Sequence, residues 1–219
     1  MPCLHYAALL LDLDGVLVDS SAVVRRHWTA WGRTRGLTDE HVMATAHGRR
    51  PIDTLQLLAP DLDEKARQAE AERIVAGEST DFDGMRVLPG ARELTESLAE
   101  ARWTVATSGP RAVAVARLGF AGIVVPSTIV TAEDVLHGKP SPEPYLLAAH
   151  RLAIDPGDCL VIEDSPAGVR AARAAGAHVI AVRTTHSTEE LCDAGADRLI
   201  PDLTAIRAVV DGNRVSICF

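Results

Sequence analysis

Hydrophobic and polar positions follow two rhythms along this chain, and the change of rhythm divides it. Ala7 to Leu11 is a continuous apolar run, the pattern of a central strand in a parallel sheet covered on both faces. From about Ser20 to Met85 no strand pattern recurs, and apolar residues fall at helical spacing. Val23, Val24, His27, Trp28 and Trp31 mark one face of a helix that starts at Ser20 and stops at Gly36. Thr38 caps a second helix ending at Gly48, a third runs from about Ile52 to Leu58, and Asp61 opens a polar, alanine-rich fourth with a thin apolar stripe. Together they predict a small helical bundle with the tryptophans in its core.

From Val87 the rhythm changes again. Pro89 starts a helix reaching about Ala101. WTVAT, PSTIV, CLVIED, HVIAV and DRLI then recur as short β-branched runs between helices beginning at Pro110, Ser141, Pro166 and Ser187. Such alternation predicts a parallel sheet with helices on both faces. The opening strand belongs to that sheet, so the bundle is an insertion. The expected fold is α/β: a Rossmann-like parallel sheet core from residues 1–16 and 87–219, with residues 17–86 inserted as a helical-bundle cap. Hinges are expected near Val16 to Asp19 and Asp83 to Leu88. The last residues, RVSICF, fit either an edge strand or a dimer contact.

Composition narrows function by exclusion. The 219 residues carry 22 Lys and Arg against 30 Asp and Glu, a formal charge of −8. An acidic surface of this kind does not attract nucleic acid or anionic lipid. The longest apolar runs are strand-sized, so neither a membrane span nor an export signal is expected. Cys3, Cys159, Cys192 and Cys218 lie far apart with no CxxC pair, and are expected as reduced thiols in a cytoplasm. A small-molecule partner and a monomer or weak homodimer fit these bounds.

Candidate chemistry gathers where the strands end, because ligands of open α/β sheets bind beyond the carboxyl ends of the strands. Asp12 and Asp14 follow the first strand, and Gly15 lets the chain turn. Two carboxylates brought together need a cation or a shared proton, unless they merely cap the next helix. Thr107, Ser108 and Gly109 end WTVAT, Glu163 and Asp164 end CLVIED, and Lys139 lies in the loop GKPSPEP. Four acidic groups with oxygen ligands and no His or Cys describe a hard-cation site suited to Mg²⁺. Thr107 and Ser108 hydroxyls, backbone amides at a helix start and the Lys139 ammonium suit a phosphoryl group.

DLDGVLVDS, the strand-end Thr107, Lys139-Pro140 and VIEDSPAGVRAARAAG resemble, in order, the four motifs of the haloacid dehalogenase superfamily, from about Ala7 to Val182. The resemblance implies that Asp12 is a nucleophile forming an aspartyl-phosphate and that Asp14 is a general acid/base. It also implies that Thr107 and Lys139 bind the phosphoryl group, and that Asp12, the Asp14 backbone carbonyl and Asp164 hold Mg²⁺. Asp14 would then need a proton, which the neighbouring Asp12 carboxylate favours. The inserted helices resemble the cap of the subclass containing phosphoglycolate phosphatase, β-phosphoglucomutase and the sugar, hexitol and glycerol-3-phosphate phosphatases. VATSGP and VTAEDVLHGKPSPEPYLLAA look more like the phosphatases than the mutases. A Mg²⁺-dependent sugar- or polyol-phosphate phosphatase is therefore expected, with a phosphosugar mutase as the alternative. The same analogy places His47, Gly48, Arg49 and Arg50 at the crevice; a plain helix stop at Gly48 with solvated arginines is the competing expectation. His27 is expected as a core or interface histidine, and His137 as a shaper of its loop.

Overall fold

A computed structural model of the chain describes residues 3–46, 48–98, 102–212 and 214–219. Its centre is a five-stranded parallel sheet in the order β5-β2-β6-β7-β8, formed by Ala8–Leu11 (β2), Trp103–Val105 (β5), Cys159–Glu163 (β6), His178–Val182 (β7) and Arg198–Ile200 (β8). The register pairs Leu9 with Trp103 on one side and Leu9 with Leu160 on the other. Every residue of β2 is buried, as its uninterrupted apolar run requires.

Alternation along the strands sends side chains into two separate cores. Leu9, Leu11, Leu160, Ile162 and Ile180 face Ala91–Ser97 (α5) and Arg111–Ala121 (α6). Ala8, Leu10, Val161, Val179 and Ala181 face Glu143–Arg151 (α7), Pro166–Ala174 (α8) and Thr188–Asp193 (α9). Helices on both faces of a parallel sheet are what the sequence predicts. PSTIV is the exception: the segment contributes only an isolated bridge between Val130 and Ala106, so its apolar residues fill the core without forming a strand. The helix expected from Pro89 to about Ala101 is shorter at both ends: it begins after Gly90, whose φ of +83° is a backbone shape that favours glycine, and it stops at Ser97, where Leu98 turns extended. The helices expected from Pro110 and Ser141 start a residue or two later, at Arg111 and Glu143.

The insertion forms Ser21–Thr34 (α1), Asp39–Ala46 (α2), Pro51–Leu58 (α3) and Glu64–Glu78 (α4). The fourth helix is capped by Asp63, not opened by Asp61. Trp28, Trp31, Val42, Leu55 and Ile74 build a third core of their own, with Trp28 and Trp31 edge to face at 5.9 Å. The two connecting segments pair with each other: Val18–Asp19 (β3) runs antiparallel to Arg86–Val87 (β4). The bundle therefore leaves and rejoins the sheet domain through one two-stranded neck.

The chain ends form a second sheet that the sequence only half announces. Cys3–Tyr6 (β1), Arg214–Cys218 (β10) and Arg207–Asp211 (β9) pair antiparallel in the order β1-β10-β9. The apolar tail is thus a strand, and Val215 and Ile217 join the core. The register sets Cys3 opposite Cys218, and the two form a disulfide. This corrects the expectation of four reduced thiols: 215 positions of sequence separate a pair that strand pairing brings together, while Cys159 and Cys192 are free.

Candidate active site

Lys139 joins the sequence-predicted residues into one centre. Its Nζ donates to Asp12 Oδ1 at 2.7 Å and to Glu163 Oε1 at 2.6 Å, and its side chain is buried. Asp12 stands one residue past β2, fixed by a hydrogen bond from its amide to the Ile162 carbonyl. Glu163 ends β6, and both its oxygens are engaged. Oε1 also accepts from the Tyr145 hydroxyl at 2.8 Å, and Oε2 accepts from the Asp164 and Ser165 amides and the Ser165 hydroxyl. The close approach leaves no room at Gly168, where a Cβ would lie 1.6 Å from Glu163 Oε1.

Charge in this centre is unbalanced. Acidic oxygens of Asp12, Glu163 and Asp164 lie within 4.8 Å of one another, all buried, with the Lys139 ammonium as the cation among them. Burial pushes the Asp12 carboxyl up to about 7, against the pull of Lys139 and with the help of Glu163. Burial and the charges of Glu163 and Asp12 drive Asp164 well above the usual carboxylate range. In contrast, Glu163 is held low: burial opposes ionisation, but Lys139 and the Ser165 amide outweigh it. A buried surplus of carboxylate with hard oxygen donors fits a divalent cation.

Thr107, buried past the end of β5, accepts at Oγ1 from the Gly109 amide at 3.0 Å, which leaves its hydroxyl hydrogen directed elsewhere. Ser108 and Gly109 follow it into a cavity of about 100 Å³ that Asp12, Asp14, Lys139 and Asp164 also line. The opposite wall comes from the bundle, through Val24, Trp28, Met43, Ala46 and Arg49. Arg49 reaches this cavity, although it is exposed and its guanidinium donates to the Thr45 carbonyl. Arg50 turns away to pair with Asp53 and to donate to the Val135 carbonyl at 3.0 Å. Gly48, at φ +70°, makes the helix stop. His47 lies outside the described residues. His27 bonds to Asp81 at 3.0 Å, and His137 ties its loop to Glu143 in the first turn of α7.

Sequence reasoning missed the partners of Asp14. Its Oδ1 accepts from the Ser20 hydroxyl at 2.6 Å, and its Oδ2 pairs with Arg117 Nη1 at 2.7 Å. The charge beside Asp14 is thus a guanidinium as well as the Asp12 carboxylate that the sequence brought forward. A signal was present: Arg117 falls on the buried stripe of α6 with Val113, Ala114, Leu118 and Ala121, where an arginine needs a partner. Thr185, past the end of β7, was also missed; its hydroxyl donates to the Asp164 carboxylate.

Comparison with known proteins agrees with this geometry. Residues 6–176 match the model of the haloacid dehalogenase-like hydrolases, and the chain belongs to that family. Hexitol phosphatase A of Escherichia coli (strain K12) is 44% identical over 184 residues, 83% of this chain and 85% of that protein. Glycerol-1-phosphate phosphohydrolase 2 of Saccharomyces cerevisiae is 34% identical over 213 residues, 91% of this chain and 84% of that one. A solved hydrolase from Pseudomonas syringae superposes with a TM-score of 0.81 at 27% identity, covering 91% of this chain and 94% of its own.

Proposed function

We propose that the protein is a Mg²⁺-dependent phosphatase that hydrolyses a small sugar or polyol phosphate through an aspartyl-phosphate. Residues 17–86 act as a cap over the sheet domain of residues 1–16 and 87–219. The observation that carries the reading is Lys139 suspended between Asp12 and Glu163 beside Asp164, at the strand ends that also present Thr107. The named activities of the hexitol and glycerol-1-phosphate relatives support the substrate class. The cavity of about 100 Å³ supports a small leaving group, since pockets for drug-sized ligands run to about 300–1,000 Å³.

In this reading an Asp12 oxygen attacks phosphorus as the bond to the substrate alcohol breaks, and the alcohol leaves with a proton from Asp14. Asp14 then takes a proton from the water that releases inorganic phosphate. Lys139, the Thr107 and Ser108 hydroxyls and the Ser108 amide hold the phosphoryl oxygens, while the Gly109 amide is engaged by Thr107 Oγ1. Asp12, Asp164 and the Asp14 backbone carbonyl would hold Mg²⁺, which when bound offsets charge on the transferring group. Glu163, its oxygens engaged by protein donors, serves to hold Lys139, and Arg49 meets the leaving group from the cap. A phosphorylated metabolite as substrate supports a cytoplasmic setting for the reaction, although the Cys3–Cys218 bridge removes the reduced thiols as an argument for it.

A phosphate-release screen across polyol, hexose and triose phosphates tests the reading. Turnover of a polyol or sugar phosphate that stops with chelator and in Asp12→Asn is expected; a panel with no turnover would overturn it.

A further inference from the structure

One guanidinium bridges the bundle, the sheet domain and Asp14. Arg117, on α6 of the sheet domain, gives Nη1 to Asp14 Oδ2 at 2.7 Å and Nη2 to Glu78 Oε2 at 2.8 Å. Glu78 is the last residue of α4, where the bundle turns back toward its neck. The side chains of Arg117 and Glu78 are 4% and 8% exposed, and Arg117 Nε has no partner among the described residues. Two residues of the same pair of segments make a second contact: Phe82 stacks on Phe120 at 5.6 Å with the ring planes 7° apart. The exit of the bundle therefore leans on α6 through one apolar and one charged contact.

We propose that Arg117 is a positioning residue for Asp14, and that Glu78 makes this positioning depend on the bundle being seated. The inference rests on the phosphatase reading and extends it to how the proton donor is set. Asp14 is gripped at both oxygens, by Ser20 at the start of the bundle and by Arg117. Arg117 in turn is gripped by Glu78. When the bundle lifts, Glu78 withdraws, the guanidinium keeps a single carboxylate partner, and the geometry aiming Asp14 at the leaving oxygen is lost. Proton donation is then available only over a closed site, where water is excluded. An ion pair is not needed merely to hold two surfaces together, because apolar residues of similar volume do so as well; here it lands on the residue that moves the proton.

The test compares leaving groups. In the first transfer the phosphorus–alcohol bond breaks, the Asp12–phosphorus bond forms, and a polyol oxygen must collect a proton from Asp14. A p-nitrophenolate leaves without one. The value of kcat/KM reports that first transfer alone, and it is measured for wild type, Glu78→Gln and Arg117→Lys on glycerol 1-phosphate, sorbitol 6-phosphate and p-nitrophenyl phosphate. In Glu78→Gln the polyol value should fall about tenfold or more and the aryl value less than about threefold. Arg117→Lys, which keeps the charge but not the two-armed bridge, should show the same selective loss. Equal losses on both kinds of ester, or none, in a folded Glu78→Gln protein would overturn the proposal alone. Wild-type protein that turns over none of the three esters would overturn the phosphatase reading and this proposal with it.

Discussion

A Cβ on Gly15 would lie 2.0 Å from Asp164 Oδ2. The turn after Asp14 and the carboxylate past β6 are in contact because the residue between them has no side chain, and its φ of +83° also favours glycine. Gly15→Ala should push Asp164 out of the acidic cluster. We expect a loss in kcat of about 10²-fold or more, from displacement of a site group, with weaker Mg²⁺ binding in calorimetry. A variant with wild-type kcat and Mg²⁺ affinity would contradict this.

Tyr145 is fully buried and gives its hydroxyl to Glu163, under the same oxygen that holds Lys139. Its ring also lies 5.0 Å from the Lys139 ammonium. Tyr145→Phe keeps the ring and removes the hydroxyl. Loss of a partner that orients a site group should lower kcat by about 10- to 100-fold, and the protein should lose about 1.5–3 kcal/mol of stability. Unchanged kcat in steady-state assays would show that Lys139 and the Ser165 donors fix Glu163 without it.

The Cys3–Cys218 bridge closes nearly the whole chain into a loop, with a sequence separation of 215. Cross-links of long loops stabilise by constraining the unfolded chain, by about 5 kcal/mol in the entropic account. Reduction with dithiothreitol should therefore lower the Tm by about 10–20 °C for a domain of this size. Equal Tm values with and without reductant, confirmed by thiol counting, would mean the bridge contributes nothing.

Asp134 accepts from Arg151 Nη2 at 2.6 Å and from the Thr131 amide and hydroxyl, both at 2.8 Å. Burial opposes ionisation, but these bonds outweigh it and hold the carboxyl at about 2, below its ordinary 3.8. A folded-state value below the unfolded one gives stability that is fully present above about pH 4 and is lost as pH falls toward 2. The stability gap between wild type and Asp134→Asn, read from urea midpoints, should thus be constant above pH 5 and close below pH 3. A gap that widens on acidification would contradict the sign.

The sheet domain was legible because its strands are short, apolar and punctuated, and Asp12 and Asp164 sit where strand ends converge, with Lys139 in the loop ahead of α7. Three things stayed hidden, for separate reasons. The pairing of Cys3 with Cys218 depends on two terminal strands whose edge-like alternation gives no clue to their partner. The apolar PSTIV reads like a strand because composition does not distinguish core filling from ladder formation. Glu78 and Arg117 each sit on a buried helical stripe, yet only the meeting of α4 with α6 turns two anomalies into a bridge.

In the proposed reaction Asp12 attacks phosphorus. Rapid-quench mass spectrometry of the enzyme mixed with a polyol phosphate and Mg²⁺ tests this directly. A transient phosphoryl adduct is predicted on the peptide carrying Asp12, absent in Asp12→Asn and absent when Mg²⁺ is withheld. Full turnover with no adduct at any time point, or with the adduct on another residue, would contradict it.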